Sequence, residues 1–338
     1  MKSRPLLYNY LMAVPPEGAP TYCPNLWKEV FIDERGLVYA CCCDSARPYG
    51  NIYKGRLKDI FNSAAARRQR RESLNGTLKC FETCFILKKA ALPSAPAGAP
   101  LAADYSGLRR LKLRFGQLCN IRCVMCVQDH RKGPCLDLEA VRKNVDLSPF
   151  STIEMEGGEP LFMQASRDFF DLAASLGKKV SFLSNGTLID EIWAEKIARH
   201  SDYIYVSLNG ATRATHELVN AGSRWEAVLR NIRRVRKWRK RLGTPLVIRG
   251  HMTLVRENLD EVPRFIREFK KFGVEKICFC HAESSVKRFH EDPGAAVAFK
   301  KAVAAAYAAS PHKKDINLAG LLPLLRAVLP RWRRGRRH

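Results

Sequence analysis

The stretch LRRLKLRFGQLCNIRCVMC, residues 108–126, places a strand pattern directly before a cysteine pattern. Leu111, Leu113 and Phe115 alternate with Lys112 and Arg114, the period-two signature of a half-buried strand. Cys119, Cys123 and Cys126 follow as C-x3-C-x2-C. Given the cysteine content of the chain, three at those offsets arise by chance about 0.015 times per chain. Three thiolates on one short loop suit an iron–sulfur cube in which each holds one iron and the fourth iron stays open. The alternative is a zinc loop, with Cys135 as the fourth ligand of a tetrahedral site.

Outward from this stretch, strand-like and helix-like segments alternate. Strand patterns fall at 111–115, 152–156, 179–184, 203–208, 246–254 and 275–280. Helical apolar spacing fills 169–176, 192–198, 225–242 and 259–272. Such alternation makes parallel βαβ units. Their length, roughly 29 residues each, is close to that of TIM-barrel units. The expected fold is therefore α/β, a partial (β/α)6 TIM-like barrel over 108–290. Ile204, Val206 and Leu208 oppose Tyr203, Tyr205, Ser207 and Asn209; Ile248, Met252 and Leu254 oppose Arg249, His251 and Thr253. If the apolar faces pack on helices, the interior is polar and suits a hydrated cavity for a polar ligand.

The chain has 338 residues, 46% apolar and 27% charged, with a net charge of +25 that favours acidic partners. No run of 18 apolar residues exists and the first twenty residues lack a cleavage pattern, so an unexported, cytoplasmic protein is expected. Its twelve cysteines then point to metal binding rather than disulfides. The Ala/Pro-rich stretch 90–107 is expected to be a linker between a Cys-rich domain, 1–89, and the barrel. Residues 291–338 are expected to be a helical segment ending in a basic tail.

On these residues the chain resembles the radical S-adenosylmethionine (SAM) superfamily from 108 to 282. Gly157-Gly158-Glu159-Pro160, Ser184-Asn185-Gly186-Thr187 and Ser207-Leu208-Asn209-Gly210 match its further landmarks in order. The resemblance implies that the open iron of a [4Fe–4S] cluster binds SAM. One electron then cleaves SAM to a 5′-deoxyadenosyl radical, which removes a hydrogen atom from substrate. It implies that Gly157, Gly158 and Glu159 meet the SAM amino group, that Ser207 lies near its ribose or carboxylate, and that Ser184, Asn185 and Asn209 line the cofactor site. Met125 stands where the superfamily usually has an aromatic residue, and its thioether can cover adenine. Asn209 replaces the usual Asp and Asn220 a frequent Arg, which leaves Arg224 or Arg249 to clamp the carboxylate.

Before the barrel, Cys23, Gly36 and Cys41, with the pair Cys80 and Cys84, resemble a SPASM/Twitch auxiliary-cluster module. Four thiolates would hold an auxiliary [4Fe–4S] cluster, Cys42 competing with Cys41; a four-cysteine zinc site is the alternative. Cys278 and Cys280 lie at i and i+2 on the sixth strand, and with Cys135 they are candidate hydrogen-atom donors to a substrate radical. Burial as small hydrophobes is the plainer reading.

Residues 229–241, LRNIRRVRKWRKR, carry eight basic side chains, either the solvated side of a helix or a dock for an acidic one-electron donor such as flavodoxin or ferredoxin. The tail LAGLLPLLRAVLPRWRRGRRH, 318–338, is a candidate membrane-surface contact, interrupted by Pro323 and Pro330. The expected function is radical SAM hydrogen abstraction from a polar carbohydrate or peptide substrate, followed by epimerisation or by oxidation through the auxiliary cluster. A radical SAM enzyme acting on RNA and a non-enzymatic zinc-binding adaptor are the other hypotheses; no RNA-binding fold is recognisable, so nucleic acid is not the expected partner.

Overall fold

The computed structural model describes residues 22–41, 47–78, 98–321 and 324. In chain order its strands are β1 (Glu29–Ile32), β2 (Leu37–Tyr39), β3 (Gly50–Asn51), β4 (Arg110–Arg114), β5 (Arg122–Cys123), β6 (Thr152–Glu156), β7 (Val180–Ser184), β8 (Tyr203–Ser207), β9 (Asn220–Ala221), β10 (Val247–Leu254), β11 (Lys276–His281) and β12 (Ile316–Asn317). The helices are α1 (Leu57–Ile60), α2 (Ala64–Leu74), α3 (Leu138–Asn144), α4 (Gln164–Ser175), α5 (Glu191–His200), α6 (Arg213–Val219), α7 (Trp225–Leu242), α8 (Val262–Glu268), α9 (Glu283–Glu291) and α10 (Pro293–Ala309). Two compact units divide the described residues: one from 1–120, 128–183 and 200–202, the other from 121–127, 184–199 and 203–338.

In the first unit β4 pairs parallel with β6, and β6 with β7. Leu111, Leu113, Ile153, Met155, Val180 and Phe182 are buried, and Phe115 packs on Phe169 of α4 with ring centroids 5.3 Å apart. The other side of β4 and β6 carries charge: Lys112 Nζ lies 3.2 Å from Glu154 and 3.0 Å from Glu156. Such lateral alternation is what a sheet with one packed and one polar side requires.

The N-terminal residues join this sheet. β1 pairs parallel with β4, Val30 opposite Leu111, and antiparallel with β2, which pairs with β3. Residues 98–107, within the expected linker, are tied to the same unit. Arg70, fully buried, donates to the carbonyls of Leu26, Phe61 and Leu101 and to Asn62 Oδ1. Asn62 in turn bonds both backbone groups of Ala103. Among the described residues no carboxylate pairs with it, and this buried guanidinium stays in place because its donors find oxygen acceptors.

In the second unit β8, β10, β11 and β12 are parallel in the order β8-β10-β11-β12. Ile204, Val206, Ile248, Met252, Leu254, Ile277 and Phe279 form the packed face, with Phe265 of α8 edge-on to Phe279 at 5.9 Å. The opposite face carries Tyr203, Tyr205, Ser207, Arg249, His251, Thr253, Cys278 and Cys280, all half-buried. The α/β class and the strand placement thus follow the sequence expectation. α7 turns Val228, Ile232 and Val235 inward and its basic side chains outward; a groove of about 670 Å³ on it is lined by Arg233, Arg236, Lys237, Arg239 and Lys240. Among the described residues no helix is long and apolar enough to cross a membrane, and the basic tail lies outside them.

Candidate functional site

In the first unit, the loop that leads into Cys119 is closed on by the turn after β6. Gly157 and Gly158 have φ of +80° and +47°. A Cβ on Gly157 would stand 2.6 Å from the Gly116 carbonyl oxygen, and one on Gly158 only 2.2 Å from that of Leu118. Two glycines are therefore demanded by both conformation and space. The Glu159 N–H donates to Leu118 O at 2.9 Å, and the Gly158 N–H to Gln128 Oε1 at 2.8 Å. The Glu159 side chain is buried and accepts from the Leu161 N–H at 3.2 Å.

Glu34, in the β1–β2 turn, braces the same loop, a role the sequence reading missed. It accepts from Arg114 Nε and, at 3.0 Å, from Gln117 Nε2, while Gln117 Oε1 takes the Asp129 N–H at 3.0 Å. Burial pushes the Glu34 carboxyl up, but the hydrogen bonds from Gln117 and Arg114 outweigh it and hold the group below its usual range.

In the second unit, Cys123 sits on β5 opposite Asn220 of β9, and the Cys126 N–H donates to Cys123 O at 3.0 Å. Val124 and Val127 are 53% and 99% exposed, and Met125 lies half-buried between Val124 and the exposed Cys126. Asn209 accepts the Thr253 N–H at 2.7 Å through Oδ1, which fixes its amide so that Nδ2 donates to Asn220 Oδ1 at 2.8 Å. Asn220 Oδ1 also lies 3.4 Å from Cys123 Sγ. Asn209 and Asn220 therefore couple the cysteine loop to β10, a connection that residue-type substitution alone did not reveal. His216 is buried beside them, 3.0 Å from Ser223 Oγ, and burial lowers its pKa to about 4.

Ser184 Oγ accepts the Gly186 N–H at 2.9 Å and Asn185 Oδ1 the Thr187 N–H at 2.9 Å, so both shape the turn after β7. Arg224 is exposed at the start of α7. Arg249, on β10, packs against two tyrosines of β8. Its Cα is level with Tyr205, and its guanidinium lies 4.1 Å from the Tyr203 ring centroid and 5.2 Å from that of Tyr205. The side chain thus reaches back along β8, away from Ser207, because the tyrosine faces offer cation–π contact there.

Cys278 and Cys280 lie on the polar face as expected, opposite His251 and Thr253, with Thr253 Oγ1 3.1 Å from Cys280 Sγ. Burial, and then the neighbouring Cys280, push Cys278 up to about 12 against the opposing Arg249; burial likewise raises Cys280. Burial also lowers the His251 pKa to about 4. Cys135 is exposed in the first unit. Of the auxiliary set, Cys23 is buried with its N–H on Ser73 Oγ at 2.8 Å, and Cys41 is half-buried. Cys42, Cys80 and Cys84 lie outside the described residues.

Among the described residues no three His, Cys, Asp or Glu side chains are gathered to hold a single metal ion. The fit to an iron–sulfur group and SAM rests instead on soft thiol donors, an exposed apolar loop for such a group to cover, and a turn that admits only glycine. Cys119 in the first unit, and Cys123 and Cys126 in the second, are the thiol donors that would ligate such a cluster.

Residues 113–269 match the family model of the Radical SAM superfamily, and residues 23–85 that of the SPASM iron-sulfur cluster-binding domain. Among curated proteins, the S-adenosylmethionine-dependent nucleotide dehydratase RSAD2 of Siniperca chuatsi is 26% identical over 133 residues, 37% of this chain and 37% of that protein. Fe-coproporphyrin III synthase of Methanosarcina barkeri is 25% identical over 170 residues, 48% of this chain and 41% of that protein. The chain thus spans about two fifths of the length of these relatives. Among solved structures, anSMEcpe with bound AdoMet aligns with a TM-score of 0.49 at 19% identity, covering 62% of this chain and 63% of that one. Streptococcus suis SuiB bound to S-adenosylmethionine aligns at 0.44 and 14%, covering 62% and 46%.

Proposed function

We propose that this chain, which belongs to the radical SAM superfamily and carries a SPASM-type iron–sulfur domain ahead of its barrel, inverts a carbon centre of a polar carbohydrate or peptide substrate held against the β8–β10–β11 face. SAM and the [4Fe–4S] cluster, when bound, supply a 5′-deoxyadenosyl radical that removes a hydrogen atom from a substrate C–H bond. What remains for the protein is to hold the substrate, exclude water and return a hydrogen atom to the opposite side of the carbon.

The observation that carries this reading is the pair of thiols on that face. A thiolate has no hydrogen atom to give, so a donor must stay protonated at neutral pH. The Cys278 thiol, pushed up to about 12, does. The hydrogen bond between Thr253 and Cys280 restricts the second sulfur's rotamer. Transfer breaks one S–H bond and forms one C–H bond; the thiyl left behind needs one electron, from a low-potential donor protein, and one proton to return to thiol. The basic outer side of α7 suits an acidic protein for that role.

Anaerobic enzyme with SAM and dithionite in D2O, offered panels of carbohydrates and peptides, tests this. Deuterium from an exchanged S–D should enter the inverted product, and Cys278→Ala or Cys280→Ala should abolish its entry while 5′-deoxyadenosine still forms. Unchanged deuterium in both variants refutes the donor assignment. A product two hydrogens poorer shows oxidation instead.

A further inference from the structure

Among the described residues no carboxylate pairs with Arg249: Nη1 donates to the Tyr205 hydroxyl at 2.7 Å, and Nε is buried with no acceptor. Burying one of the guanidinium's donors without an acceptor costs free energy unless something outside the chain compensates. Lys276 stands opposite it in register on β11, and Lys314 precedes β12. These three cations, with Tyr205, Cys278 and Asn317, line a cleft of about 260 Å³. Among the described lining residues the one carboxylate, Asp315, is already engaged by Lys270 at 2.9 Å.

We infer that this cleft binds an anionic group of the substrate, a carboxylate or a phosphate, and that Arg249 is its principal ligand. The inference rests on the proposed reading of the polar face as the substrate's side, and names the substrate class. The volume is below the roughly 300 Å³ at which pockets enclose a whole small ligand, so the cleft takes a substituent rather than an entire substrate. Tyr203 lies 4.1 Å from the guanidinium carbon and the Tyr205 hydroxyl takes Nη1, which leaves the buried, unmet Nε edge to an anion. Cys278 lines the same cleft, two register positions beyond Lys276 and level with His251. Anchoring the anion there therefore holds the rest of the substrate beside the Cys278 thiol.

Calorimetric titration of the anaerobically reconstituted holoenzyme with sodium phosphate and with sodium malonate, at constant ionic strength, tests the inference. At least one probe should bind at a single site, and the tighter one identifies the group. Arg249→Met should weaken that binding about tenfold or more, as loss of a charge-assisted hydrogen bond does. Lys276→Met and Lys314→Met should weaken it too. Lys301→Met, on the exposed side of α10, should leave it unchanged. Should Arg249→Met fail to fold, the exposed Lys276 and Lys314 variants decide the matter. No binding of either probe, or equal binding by wild type and all three cleft variants, overturns the inference. The same preparations are assayed for SAM cleavage: anion binding without any 5′-deoxyadenosine would overturn the proposed function and leave the cleft standing, whereas cleavage without anion binding would do the reverse.

Discussion

Replacing Gly158 by Ala probes how tightly the turn after β6 closes on the loop entering Cys119. At φ +47° any L side chain costs about 1–2 kcal/mol. The new Cβ would also stand 2.2 Å from Leu118 O and 3.0 Å from two carbonyl carbons, where ordinary contact begins at 3.4 Å. Relief requires the backbone at 117–118 to shift by about 1 Å, stretching the Glu159–Leu118 hydrogen bond and adding about 2–3 kcal/mol. Gly177 is the internal control. It has φ +71° after α4, but a Cβ there meets nothing within 4 Å, so Gly177→Ala pays only for the conformation. At about 2 °C per kcal/mol in a chain of this size, Gly158→Ala should melt roughly 6–10 °C below wild type and Gly177→Ala roughly 2–4 °C. Because the displaced residues directly precede Cys119, Gly158→Ala alone should also lose iron in anaerobic preparations. If the two variants melt together and both retain full iron, the turn does not brace the cysteine loop.

Arg70→Met leaves the carbonyls of Leu26, Phe61 and Leu101 without their donor and takes one of two donors from Asn62 Oδ1, so unfolding in urea should show a loss of about 3 kcal/mol or more; a loss under about 1 kcal/mol would mean that residues 98–103 are not held through this guanidinium. His216 and His251 both have pKa values near 4 in the folded chain, below the usual 6.5, so the unfolded state binds more protons between those limits and stability rises with pH through that window. Each histidine contributes on the order of 3 kcal/mol that is present above pH 6.5 and lost toward pH 4. His216→Gln should flatten the melting-temperature profile over that range, and an unchanged slope would show that His216 is not the titrating group. Alkylation of Cys278 by iodoacetamide, followed by peptide mass spectrometry, should stay slow and still climb with pH from 7 to 9, since a thiol near 12 is almost wholly protonated there; a rate that levels off near pH 8 would contradict its protonated state.

The strands of the βαβ repeats were legible because Ile204, Val206, Ile248 and Met252 alternate strictly with polar neighbours, and each is indeed buried. The cysteine loop was legible from spacing alone. What spacing does not carry is the direction of a long side chain or a bond between distant residues. Arg249 was placed on the correct face, yet its turn toward Tyr203 depends on aromatic surfaces supplied by another strand. Glu34 acts on Arg114 and Gln117 some eighty residues away, through a pairing of β1 with β4 that no local pattern announces. Asn209 and Asn220 read as weakened versions of a cofactor clamp; the structure joins them to each other and to Thr253, a role set by tertiary proximity.

The most direct test of the account is iron and nucleoside analysis of anaerobically prepared wild type beside a variant with Cys119, Cys123 and Cys126 all replaced by Ala. The wild type should release 5′-deoxyadenosine from SAM under dithionite. The variant should hold about four fewer irons per chain and release none. Equal iron in the two proteins, or nucleoside release that survives the triple substitution, would contradict it.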